Sequence, residues 1–103
     1  MKMNPMMLKK IQKMQKDMTK AQKEIEEAIF TGSAASGMVT IEVRGTKELV
    51  SVKINPDVVD PEDVETLEDC ILLALNDAMN QVDEKSQEVM GQFTKGMNIP
   101  GLF

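Results

Sequence analysis

A chain of 103 residues has room for one domain with a limited core, and a core of that size gains from a second copy. It has no histidine and one cysteine, Cys70, so it lacks the commonest general base, any intrachain disulfide and a thiolate zinc site. The net charge of -5 hides how unevenly the charges are distributed.

No apolar run approaches the ~18 residues of a membrane span. Lysines interrupt the N-terminal apolar positions every few residues, unlike a secretory signal. The expectation is a soluble cytoplasmic protein, with no membrane partner and one domain over residues 1–103. The ten methionines suit irregular or interfacial apolar seams.

Asn4-Pro5 predicts a helix start, with Asn capping free amides and Pro at the first helical position. Apolar residues then recur at Met7, Ile11, Met14, Met18, Ala21, Ile25 and Ala28. The steps of four and three form a heptad seam, predicting a helix to about Ile29. Lys9, Lys13, Lys16, Lys20 and Lys23 follow the same rhythm two residues later. That offset, about 200° around a helix, puts them opposite the seam.

The stretch "FTGSAASG" (residues 30–37) ends the helix and reads as an irregular connection that can supply a short edge strand. Residues 38–44 alternate, with Val39, Ile41 and Val43 on one side. Residues 49–54 repeat the pattern with Val50, Val52 and Ile54 inward, so both read as half-buried strands. "GTKE", with the turn former Gly45, joins them as a hairpin. Asp60-Pro61 repeats the cap-plus-proline start, and a second helix with Val64, Leu67, Ile71, Ala74, Ala78 (or Met79), Val82, Val89 and Phe93 on its apolar side runs to about Thr94. Gly96, Pro100 and Gly101 mark a tail. The fold class is α+β: long N-terminal helix, small antiparallel sheet of two or three strands, long C-terminal helix. Such a sheet has open edges and gains from pairing with a second copy.

Charge divides the chain. Residues 1–23 hold seven lysines and one acid, Asp17, for +6. Residues 55–90 hold eleven acids and one lysine, Lys85, for -10. A solvated helix face explains part of the stripe, through Lys20–Glu24 and Lys23–Glu27 pairs worth a few tenths of a kcal/mol. Lys9, Lys10, Lys13 and Lys16 have little acid nearby, and a helix built for stability alone would carry acids in its first turns. On charge pattern alone the solvated face stays ahead, with an anionic partner as the alternative these four lysines leave open. Duplex DNA matches the ~21 Å from Lys9 to Lys23. With no aromatic or arginine on the stripe, contact with the phosphate backbone would show little sequence preference.

Other sites are weaker. Glu62, Glu65 and Asp69 share a helical face but lack the glycine turn of a hard-cation loop. Cys70 beside Ile71 reads as a packing residue, and Ser33, Ser36 and Ser51 have no histidine to activate them. No cofactor, metal or small-molecule substrate is expected, and no catalysis. The competing reading is a coiled-coil-type adaptor whose Met7–Ile25 seam docks on another protein, the lysines serving solubility.

The whole chain resembles the YbaB/EbfC family of nucleoid-associated proteins. The resemblance rests on "LKKIQKMQKDM", "GSAASGMVTIEVRG", "LVSVKINPDVV", "DPEDVETLEDCILLALNDA" and "GMNIPGLF", in that order. Where the family often has a "GGG"-like stretch before the first long strand, this chain has "AAS". The resemblance implies a tweezer-like homodimer in which sheets and C-terminal helices pack together and N-terminal helices project as arms that bind DNA. It further implies a place in the nucleoid and roles in its organisation and in gene expression. The positions it marks for DNA are Lys2, Lys9, Lys10, Lys13 and Lys16, with Lys20 along the same stripe and Lys95 from the tail. Those for the dimer contact are Val39, Ile41 and Val43 of the sheet and Ile71, Leu75, Met79 and Val82 of the second helix.

Overall fold

The structure, a computed structural model, describes residues 4–95, the side chains of residues 94 and 95 excepted. Helix α1 (Pro5–Glu27) leads into strands β1 (Ile29–Ala34), β2 (Val39–Arg44) and β3 (Leu49–Ile54). A single 3-10 turn (Pro56–Val58) precedes helix α2 (Val64–Lys95). The strands form one antiparallel sheet in the order β1-β2-β3. This is the expected α+β arrangement, with the sheet at three strands.

The core lies where α2 crosses β1 and β2. Alternation in β2 sends Val39, Ile41 and Val43 to one face, where each is at most 1% exposed. They meet Ala74, Ala78 and Val82 of α2, at most 2% exposed. Each of these valine and isoleucine side chains contributes about 1.5–3 kcal/mol on burial, the alanines less. Alanines on the helix and Gly32 on β1 keep this layer thin. A Cβ on Gly32 would overlap the Ala74 carbonyl oxygen and come within 2.9 Å of Ala78 Cβ. The opposite sheet face is polar: the Ser51 hydroxyl donates to Glu42 Oε1 at 2.9 Å, and Lys53 Nζ lies 4.0 Å from the same oxygen.

Four details depart from the sequence-based expectation. α1 stops at Glu27, because residues 29–34 pair fully with β2 from Ile29↔Arg44 to Ala34↔Val39. α2 starts at Val64, because Asp60 and Pro61 make a turn instead: Asp60 Oδ1 accepts from the Glu62 amide at 2.9 Å. The cap is Asp63, whose carboxylate accepts from the Thr66 amide (3.3 Å) and hydroxyl (2.6 Å). In the β2–β3 hairpin the left-handed residue is Lys47, φ 70°, and not Gly45. Lastly, Val50, Val52 and Ile54 are not inward in the single chain; they are 43, 42 and 37% exposed. Val52 pairs with Ile41 and Ile54 with Val39, so both share the face that α2 covers. The helix lies over the other two strands and leaves them open.

The two edges of the sheet differ. Along β1, Asp77 Oδ2 accepts from the Ser33 amide at 3.0 Å, and Gln81 Nε2 donates to the Thr31 carbonyl at 2.8 Å. Side chains of α2 thus reach the outer edge of β1, while β3 is the other edge strand, and among the described residues neither helix packs extensively against it.

Candidate nucleic-acid interface

α1 is a 23-residue rod, about 35 Å long. Asn4 caps its N-terminus, the side chain accepting from the Met6 amide at 3.1 Å, with Pro5 following. Its last turn is closed by the Ala28 amide, which reaches the Glu24 and Ile25 carbonyls. Among the described residues, it is the C-terminal half that rests on the body. Met18, Gln22 and Ile25 face Ser86, Val89 and Phe93 of α2 across a shared groove, next to Gly45. The radius of gyration is 20.1 Å, against about 13 Å for a compact chain of this length, and the molecule measures 71 × 25 × 18 Å. The two long helices, α1 of 23 residues and α2 of 32, account for that elongation.

Lys9, Lys10, Lys13, Lys16, Lys20 and Lys23 are all exposed. Among the described residues none of them enters an ion pair. The expected Lys20–Glu24 and Lys23–Glu27 pairs do not close. The pairs that do form lie on the body: Arg44–Glu48, Lys47–Asp83, Lys53–Glu42 and Lys85–Glu88. Lys13, Lys16, Lys20 and Lys23 border one shallow concave surface together with Gln12, Gln15, Asp17 and Thr19. Sequence reasoning passed over Gln12; its signal was its place between charged neighbours on one helical face.

The charges along α1 run against the helix dipole. Its first turn holds no acid and its last turn no base, and Glu24, Glu26 and Glu27 crowd the C-terminal end. Helix stability favours the reverse order by about 0.3–1 kcal/mol per charge. The lysines are therefore not explained by what they do for their own helix.

Lys2 and the Lys95 side chain lie outside the described residues. Val39, Ile41, Val43 and Val82 are buried inside the single chain, with Ile71, Leu75 and Met79 packed against that core. Exposed apolar side chains include Leu49, Val50, Val52 and Ile54 on β3, and Leu72 and Leu73 on α2, 58 and 62% exposed. Sequence pattern alone does not separate these sets, since all are regular apolar positions. Cys70 is a free thiol packed beside the core. Among the described residues Glu62, Glu65 and Asp69 are not gathered into a metal-holding group, and no helix is long and apolar enough to cross a membrane.

A basic helical arm standing on a small α+β body places the protein in the class of two-helix, three-stranded chains with an extended charged surface. An uncharacterized protein of Helicobacter pylori has the same fold, with a TM-score of 0.70 over 90% of this chain and 99% of that one, at 24% identity. Among curated proteins, a nucleoid-associated protein of Oceanobacillus iheyensis is 54% identical over 94% of this chain and 93% of its own length. One of Bacillus licheniformis is 59% identical over 78% of this chain and 75% of its own. The family model matches residues 1–97, and the chain belongs to the YbaB/EbfC DNA-binding family.

Proposed function

We propose that the protein is a nucleoid-associated DNA-binding protein that works as a homodimer, gripping the phosphate backbone of duplex DNA with two lysine-lined arms. The observation that carries this reading is the row of six exposed lysines on α1, none in an ion pair among the described residues, set against the preference of their own helix. Ammonium groups on flexible stems neutralise phosphates without reading bases, so binding shows little sequence preference. The acidic body does not cancel the arm, because charges beyond ~10 Å are largely screened at 0.1 M salt. The names of the relatives support the reading, and with it a place in the cytoplasm at the nucleoid and an influence on nucleoid organisation and gene expression. Nothing in the reading calls for catalysis.

The dimer is proposed through the apolar surface that α2 leaves uncovered. Val52 and Ile54 continue the core face of the sheet into solvent, with exposed Val50 nearby on the same strand, and a second copy laid on them extends that core. The open edge of β3 and the leucines Leu72 and Leu73 are the further surfaces available to it.

The test is a gel shift on random-sequence duplex DNA with Lys9, Lys13 and Lys16 changed together to Glu, alongside light scattering. The expected result is loss of the shift at unchanged mass. A shift that survives the three substitutions overturns the arm as the DNA-binding element. Loss of a protein partner on Met14→Lys and Met18→Lys, with DNA binding intact, would favour an adaptor instead.

A further inference from the structure

Beside its lysines, the arm carries a row of neutral polar side chains in the same rhythm. The stretch "QKMQKDMTKAQK" (residues 12–23) sets one immediately before each of four lysines: Gln12-Lys13, Gln15-Lys16, Thr19-Lys20 and Gln22-Lys23. Steps of three and four keep the neutral residues on one face of α1, about 100° around the helix from the lysines. Gln12, Gln15 and Thr19 border the same shallow surface as Lys13, Lys16, Lys20 and Lys23. Asp17 borders it too, but stands about 200° from Gln15 and Thr19, on the far side of the lysines.

Helix stability does not account for this row. Positions 12 and 19 stand four residues before Lys16 and Lys23, where a glutamate would form the favourable i,i+4 pair. Thr19 is a weak helix former, and its hydroxyl donates to the Gln15 carbonyl at 2.9 Å. Gln12 and Gln15 are exposed, and among the described residues no hydrogen bond uses either side-chain amide. Gln22 also lines the groove between α1 and α2, and the next position of the row is Glu26, so the neutral row ends where the arm meets the body.

We propose that Gln12 and Gln15 form a second, uncharged line of contact on the DNA. Each side-chain amide donates to a phosphate or sugar oxygen next to the phosphates that the lysines neutralise. This rests on the arm being the DNA-binding element. Glutamine is a donor to the sugar-phosphate backbone, and such bonds carry no sequence information. The two rows differ in kind. An ammonium that meets a phosphate releases a counterion, so its share of the affinity fades as salt rises. A neutral amide releases none, and its hydrogen bond persists in salt that screens the lysines. The glutamines therefore keep the arm on the duplex at high ionic strength. They also set which flank of the lysine row meets the DNA. The opposite flank offers less, since Lys10 and Asp17 share it with opposite charges.

The test follows binding to two duplexes of unrelated sequence by fluorescence anisotropy over a range of salt concentrations. It uses the full-length protein and full-length Gln12→Ala/Gln15→Ala. The variant is expected to bind at least about tenfold more weakly at every salt concentration and on both duplexes, with the slope of log K against log salt unchanged. Gln12→Met/Gln15→Met keeps the side-chain length without the donors and is expected to lose as much. Alanine and methionine are both strong helix formers, so the arm keeps its helix, which circular dichroism checks. Equal binding by wild type and the alanine variant overturns the proposal. If Lys9→Gln/Lys13→Gln still flattens the salt slope in that case, the lysine arm itself stands. If neither pair of substitutions has an effect, the arm fails as the DNA-binding element and the glutamine row falls with it. Recovered binding in the methionine variant would make the contact apolar, and loss on one duplex alone would make the glutamines base readers. Either result overturns the proposal.

Discussion

Gly45 and Ile25 touch where the arm meets the sheet: a Cβ on Gly45 would overlap the carbonyl oxygen of Ile25. The Gly45 amide also donates to the Ala28 carbonyl at 3.1 Å, so the hairpin end and the last turn of α1 form one joint. Backbone cannot yield as a side-chain tip can. Gly45→Ala is therefore expected to lower stability by about 1–3 kcal/mol, read in urea denaturation. Gly91→Ala is the control. That site is on the exposed side of α2 with nothing near its would-be Cβ, and it should gain about 0.5–1 kcal/mol.

The turn between β1 and β2 holds Ala35 and Ser36 at φ 54° and 57°, ahead of Gly37 at 87°. A left-handed backbone strains residues that carry a Cβ by about 1–2 kcal/mol each. Ala35→Gly is expected to raise the melting temperature, the relief of strain outweighing the extra freedom of glycine in the unfolded chain. A fall would mean that the Ala35 side chain contributes packing that outweighs its backbone cost.

If the arm lysines meet phosphates, each should carry a share of the salt dependence. Lys9→Gln and Lys13→Gln together are expected to reduce the slope of log K against log salt by about 0.9 for every phosphate left without its ammonium partner. Binding should weaken alike on unrelated duplex sequences, since no base is being read. A slope unchanged by both substitutions would remove these lysines from the interface.

Substitutions on neighbouring strands should separate folding from assembly. Ile41→Ala opens a cavity in a residue 1% exposed and is expected to cost about 2–5 kcal/mol of stability. Val52→Asp sits opposite Ile41 on the open strand, with its side chain already 42% exposed. It is expected to leave the subunit folded by circular dichroism and to halve the mass in light scattering.

Much of this fold could be read in the sequence because its periodicities are long and clean. The heptad steps from Met7 to Ala28 and the alternation from Val39 to Val43 each match one element type. β1 was harder. Its inward positions are Phe30, Gly32 and Ala34, and small residues there serve close approach to Ala74 and Ala78 and send no hydrophobic signal. The start of α2 was misplaced because Asp60-Pro61 and Asp63 both carry capping chemistry, and only the hydrogen bonds to Thr66 decide between them. The lysine face was legible, since an offset of two residues fixes it opposite the seam. The outer surface of the sheet was not. Val43 and Val52 look alike in sequence, and only the lateral placement of α2 buries one and leaves the other in solvent.

The carboxylate of Asp77 and the amide of Gln81, set along β1, have a consequence for growth. With one border of the sheet closed by its own helix, edge-to-edge joining can proceed only through β3. Two molecules that meet there use up the open border of each. Joining of that kind stops at a pair and gives no starting point for a fibre, even in a cell crowded with copies.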